Sequence, residues 1–169
     1  VFGCRGIGTA YFDSFQLEEG MVANKYNLIE NPDFTFENKY KWYTSDTNDN
    51  DVVITSTDST YPSSLDKNCF RLTGERDKQK YVYNLVKTNG KAGDTYTFGG
   101  WAKGSSVAIR DNRYFAMYAQ FTNVDGTKQY ERIDFNEDTA DWQYRVSTLT
   151  ADKDYSNIIL LFLYYENAN

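Results

Sequence analysis

Hydrophobic and polar residues alternate with a period of two along most of this chain. In Asp94–Lys103, Tyr96, Phe98, Gly100 and Ala102 fall on one face, with Thr97, Gly99, Trp101 and Lys103 on the other. In Arg113–Asn123, Phe115, Met117, Ala119 and Phe121 form an apolar row opposite Tyr114, Ala116, Tyr118, Gln120 and Thr122. Trp142–Leu149 reads with Trp142, Tyr144 and Val146 inward and Gln143, Arg145 and Ser147 outward. Comparable runs are Thr9–Leu17, Tyr26–Asn31, Lys41–Ser45, Asp51–Ser56, Cys69–Thr73, Gln79–Lys87, Lys128–Asn136 and Asn157–Glu166. Val124-Asp125-Gly126-Thr127 is a hairpin signal, and Asn89-Gly90-Lys91-Ala92-Gly93-Asp94 a second turn. No stretch sustains a helical period. About ten short strands in one domain predict an all-β sandwich of two antiparallel sheets.

Composition supports this reading. Among 169 residues, 15 Tyr and 11 Phe favour pleated, half-buried surfaces over helices. The net charge of −6 argues against nucleic acid or an anionic membrane as partner, since both call for a basic face. The longest apolar run, Ile158–Leu163, is a buried strand and too short to insert in a membrane. Two cysteines, Cys4 and Cys69, make no disulfide framework, and free thiols are expected. The outward faces mix Tyr, Trp, Gln and Arg, a combination suited to sugar: aromatic rings stack on C–H faces while polar groups read hydroxyls.

Several segments, taken in order, resemble a known family. Gly90-Lys91-Ala92-Gly93-Asp94-Thr95-Tyr96-Thr97-Phe98-Gly99-Gly100-Trp101-Ala102-Lys103 resembles the "Gly-Lys-x-Tyr-x-Leu-Ser-x-Trp-Val-Lys" strand of carbohydrate-binding modules of families 4, 9, 16 and 22. Asn31-Pro32-Asp33-Phe34 resembles their opening motif, followed by Trp42, the Val124-Asp125-Gly126 hairpin and Asp141-Trp142. Ala10-Tyr11-Phe12-Asp13-Ser14-Phe15-Gln16-Leu17 resembles the closing "Tyr-x-Asp-x-x-x-Leu" strand. The wording of Gly99–Lys103 and Thr9–Asp13 is also similar to modules of YD-repeat (Rhs-like) wall-associated proteins of Gram-positive bacteria. The resemblance implies a jelly-roll β-sandwich in a secreted or cell-surface, wall-associated protein. Its partners would be polysaccharide and neighbouring modules of the same polypeptide.

On that resemblance, Trp101, Tyr118 and Gln120 form the leading glycan-binding set, with Tyr83, Tyr114 and Arg145 behind them. Trp42 and Trp142 are expected in the core. The family's structural calcium would fall on Asp13, helped by Asp33 and Glu37, although Thr35 stands where the family carries a Glu. With no histidine, no phosphate loop and no distinctive carboxylate pair, an enzyme is not expected. The alternative to sugar binding is a structural spacer or adhesion module in a tandem array.

The closing motif comes first in this chain. Residues 1–20 therefore read as the closing strand of a module, and 21–169 as a module lacking its own last strand. Thr9–Leu17 is expected to fill that vacancy beside Asn157–Glu166, in its own chain as a permutation or in a neighbour as a swapped strand. The protein would accordingly be a monomer or a strand-swapped oligomer.

Overall fold

A computed structural model describes residues 9–20, 27–36, 39–62, 67–75, 78–105, 107 and 114–165. It contains ten strands: β1 (Thr9–Glu19), β2 (Trp42–Ser45), β3 (Val52–Thr55), β4 (Asn68–Thr73), β5 (Gln79–Val86), β6 (Thr95–Ser105), β7 (Tyr114–Asn123), β8 (Lys128–Asp134), β9 (Gln143–Thr150) and β10 (Tyr155–Tyr165). They form two antiparallel five-stranded sheets, β3-β4-β1-β6-β9 and β2-β5-β10-β7-β8. The all-β jelly-roll-like sandwich is therefore as the alternation predicts.

The apolar rows meet between the sheets. Phe98 and Ala102 face Phe115, Met117, Phe121, Leu160 and Phe162, all buried. β1 contributes Ala10, Phe12, Phe15 and Leu17. Phe12 and Phe15 cannot both face inward on a regular strand, because three positions separate them. A bulge between Asp13 and Gln16, with Ser14 at φ 50°, re-phases the strand and brings both rings onto Phe162, at 5.2 and 3.9 Å between centroids. Gly100 makes room for this contact: a Cβ there would lie 3.0 Å from Phe15 and 3.1 Å from Phe162.

β1 is not beside β10, as the sequence reading places it. It is the central strand of the first sheet, between β4 and β6, and faces β10 across the core. Both edges of β10 are already occupied by β5 and β7. The expected opening strand Tyr26–Asn31 is also absent over its described residues, 27–31. Asn27 instead acts as a local clamp. Its Oδ1 accepts from the Leu17 and Ile29 N–H groups, at 3.1 and 3.0 Å, and its amide donates to the Phe15 carbonyl. The start of β1 and the end of β10 lie at the same end of the sandwich. Ala10 pairs with Gly104, whose Cβ position is 3.4 Å from the Phe115 ring, and Phe115 contacts Tyr164 at 6.3 Å.

Candidate functional site: the tyrosine face of the second sheet

Strand register builds the site. On the outer face of the second sheet, Tyr43, Tyr83, Leu161, Tyr118 and Arg132 fall in one row across all five strands. One step along the strands lies a second row, Leu85, Ile159, Gln120 and Tyr130. In the other direction come Ser45, Tyr81, Leu163, Ala116 and Asp134, then Gln79, Tyr165 and Tyr114. β10 thus supplies an aliphatic strip, Ile159, Leu161 and Leu163. Tyrosines of β5 and β7 flank it, roughly 10 Å apart from two inter-strand spacings.

The rings brace one another. Tyr43 stacks on Tyr83 at 5.3 Å and 28°, and Tyr118 meets Tyr130 at 5.8 Å. Tyr43 and Tyr130 remain 49% and 61% exposed, so rings are offered to solvent rather than spent on packing. The Arg132 guanidinium lies 4.3 Å from the Tyr114 ring centre and its Nε is 3.1 Å from Asp134. Partial burial raises the Tyr118 hydroxyl above its ordinary pKa, while a hydrogen bond with Arg132 opposes the rise. The face therefore offers fixed aromatic planes with amide, guanidinium and carboxylate groups between them, an arrangement able to stack sugar rings and read their hydroxyls.

The structure brings Tyr83, Tyr114, Tyr118 and Gln120 together here. Trp101 and Arg145 are elsewhere. β6 belongs to the first sheet and β7 to the second, so Trp101 and Tyr118 occupy opposite outer surfaces of the sandwich. Alternation assigns a face within a sheet but does not say which sheet a strand joins. The inward assignment of Tyr144 and Val146 is also reversed: they pair with outward-facing Trp101 and Gly99, while Arg145 pairs with inward-facing Gly100. Gly99 explains the reversal, because Tyr144 lies over it within 3.0 Å of the position a Cβ would take. Sequence reading missed Tyr43, Tyr81, Tyr130 and Arg132. The signal for three of them was the i, i+2 spacing of Tyr81 with Tyr83 and of Tyr130 with Arg132.

Trp42 is in the main core, as expected, donating its indole N–H to the Asn31 carbonyl at 2.8 Å. Trp142 is buried in a second cluster with Tyr61 and Cys69, against which Trp101, Tyr11 and Ile54 pack. Cys69 is a free thiol, and burial pushes its pKa up to about 12. Cys4 lies outside the described residues.

Asp13 projects into this second cluster and is fully buried. Its Oδ2 is contacted by the Tyr61 and Ser14 hydroxyls, while its Oδ1 has no hydrogen-bond partner among the described residues. Burial pushes its carboxyl up to about 7 against those hydrogen bonds, with the charge of Asp33 adding to the rise. Asp33 itself accepts from Thr35, and Glu37 lies outside the described residues. Among the described residues no three acidic, Cys or His side chains gather as metal ligands. These residues do not fit a calcium ion, which needs six to eight oxygens.

The β-sandwich is the architecture of a known family of domains, and family comparison names it. Residues 26–164 match the family described as Carbohydrate binding domain (CBM_4_9), and the chain belongs to that family. β1 precedes the matched residues. The chain is 26% identical, over 96% of its length, to a protein named tRNA nuclease WapA from Bacillus subtilis (strain 168). It is 25% identical, over the same share, to tRNA3(Ser)-specific nuclease WapA from Bacillus spizizenii. It spans 7% of the length of these relatives. Among solved structures, the enzymatically active domain of tailspike protein 4 of bacteriophage CBA120 shares the fold. The TM-score is 0.60 at 14% identity, covering 83% of this chain and 19% of that one.

These relatives correct the expectation that no enzyme is involved. Proteins matched along 96% of this chain carry nuclease names, and the structural neighbour is titled an enzymatically active domain. The 169 residues of this chain span 7% of those relatives, so its own carboxylate pattern does not bear on their activity.

Proposed function

We propose that this domain binds polysaccharide on the tyrosine face of the second sheet. The observation that carries the reading is the registered row Tyr43, Tyr83, Leu161, Tyr118 and Arg132, with rings exposed and mutually braced in a carbohydrate-binding family. This row favours sugar binding over the spacer role, which calls for a featureless polar face. Tyr83→Ala and Tyr118→Ala are each expected to weaken binding to a cognate glycan about tenfold, ~1.4 kcal/mol. Trp101→Ala, on the opposite sheet, leaves it unchanged. Calorimetric titration after a glycan-array screen measures this, and loss confined to Trp101→Ala would move the site to the first sheet.

The larger protein is proposed to be secreted or surface-attached and, like its relatives, a tRNA nuclease. In that setting sugar binding would hold the nuclease at a glycan-coated surface.

β1 is proposed to be the module's closing strand placed ahead of its own sequence. Its position outside the family match yet at the centre of a sheet supports this. A permuted chain carrying residues 9–20 after residue 165 through a short Gly-Ser linker is expected to unfold cooperatively, within about 2 kcal/mol of the parent, because such joins at adjacent surface positions are tolerated. Urea denaturation decides; a permuted chain without a cooperative transition sinks the idea.

A further inference from the structure

One end of the tyrosine face opens into a pocket of about 240 Å³, lined by Leu28, Glu30, Lys41, Tyr43, Leu85 and Lys87 among others. Tyr43 is both a wall of this pocket and the first ring of the row, stacked on Tyr83. The pocket and the row are therefore one continuous surface. Lys41 pairs with Glu30 at 3.3 Å, so their charges balance. Lys87 is exposed and has no ion pair among the described residues.

The same excess of cations runs across the sheet. Beyond the row of Leu85 and Gln120, Asn157 pairs with Thr122 and Thr122 with Lys128. Lys87 follows Val86, the partner of Ile158, and so aligns with Asn157. Two lysines thus bracket an amide and a hydroxyl, with Arg132 further along β8. Among the described residues that register and the pocket place on this face, the cations are Lys41, Lys87, Lys128 and Arg132 and the carboxylates Glu30 and Asp134, so Lys87 and Lys128 remain after the two ion pairs. The whole chain has 18 basic and 24 acidic residues. A cation-rich binding face on an anionic body selects ligands by charge, drawing in anions and repelling them elsewhere.

We propose, resting on the sugar-binding reading above, that the ligand is an acidic polysaccharide. An anionic sugar unit would sit in the pocket against Tyr43, with its negative group on Lys87 and its hydroxyls on Glu30 and Lys41. Carboxylate and phosphate substituents share this chemistry, and the experiment separates them. Binding of the intact domain is titrated calorimetrically with a polyuronate, a phosphate-substituted polysaccharide and a neutral β-glucan, each at low and at moderate salt.

At least one acidic polymer is expected to bind about tenfold more tightly than the neutral one, with an affinity that falls as salt rises. Lys87→Ala is expected to erase most of that preference by lowering acidic-polymer affinity about tenfold, with a far smaller loss for the neutral glucan. Lys103→Ala, whose lysine pairs with Asp58 on the opposite sheet of the sandwich, serves as the charge control and has no effect. Equal or tighter binding of the neutral polymer, or an unaltered preference in Lys87→Ala, overturns the acidic ligand while leaving sugar binding intact. Absence of binding to every polymer overturns both readings.

Discussion

Lys80→Met is expected to destabilise the domain by about 3–5 kcal/mol, the cost of leaving a buried charge without its partner. Lys80 is 1% exposed, and its Nζ lies 2.8 Å from Asp51 and 2.7 Å from Glu75. The Asp51 carboxylate is buried too, and it closes the sandwich end by accepting from the Asn48 and Thr73 N–H groups at 2.8 and 2.7 Å. Methionine matches the lysine stem in shape but strips Asp51 of the cation it pairs with. Urea denaturation should show a lower midpoint at an unchanged slope, and thermal denaturation a drop on the order of 10 °C. Glu75→Gln should cost far less, because Glu75 is half exposed. A Lys80→Met midpoint close to the parent's would show that the pair contributes nothing net.

The second large effect is expected at Asp13. The Tyr61 hydroxyl lies 3.1 Å from the Asn68 carbonyl and also contacts Asp13 Oδ2, yet it has one proton to give. Both contacts are hydrogen bonds when Asp13 is protonated: Asp13 donates to Tyr61, and Tyr61 donates to Asn68. Burial, which raises the carboxyl to about 7 from 3.8, favours that protonated arrangement. A raised folded-state pKa means that the native state holds this proton more tightly than the unfolded chain. The contribution is full below about pH 3.8 and is lost as pH climbs toward 7. Asp13→Asn supplies a permanent donor to Tyr61. It is expected to be more stable than the parent at pH 8 by about 2–4 kcal/mol, and to lose the parent's decline between pH 4 and 7. Urea midpoints measured at pH 5 and pH 8 test this, and parallel pH profiles for the two proteins would refute it. Asp33, Tyr61 and Cys69 are the other titratable groups near Asp13, and burial moves the Cys69 thiol further above that window.

Much of the architecture is legible in the residues. Tyr96, Phe98, Gly100 and Ala102 face the core as their alternation says, and so do Phe115, Met117, Ala119 and Phe121. Val124-Asp125-Gly126 makes its hairpin, with Gly126 at φ 83°. What fails involves long-range pairing. Sheet membership is decided by which strands meet across the whole chain, so Trp101 looked like a neighbour of Tyr118 when the core lies between them. The face of Tyr144 depends on Gly99, a residue 45 positions earlier in the sequence, and no local pattern reports that. The buried Asp13 is invisible for a similar reason: a short polar step after Tyr11-Phe12 reads as ordinary outward alternation. Its burial comes from the bulge beside it and from Tyr61, which arrives from 48 positions away. Four members of the tyrosine face, Tyr83, Tyr114, Tyr118 and Gln120, could be named because outward residues on strands leave a period-two trace. Tyr43 left none, since a four-residue strand is too short to show one.

The adjacency of the start of β1 and the end of β10 has a mechanical consequence. A pull through the residues flanking these strands enters the sandwich at one end only. β1 would be drawn from between β4 and β6 starting at Ala10, so its ladder bonds would open one pair after another rather than all sharing the force. Such a domain yields by unzipping under modest tension.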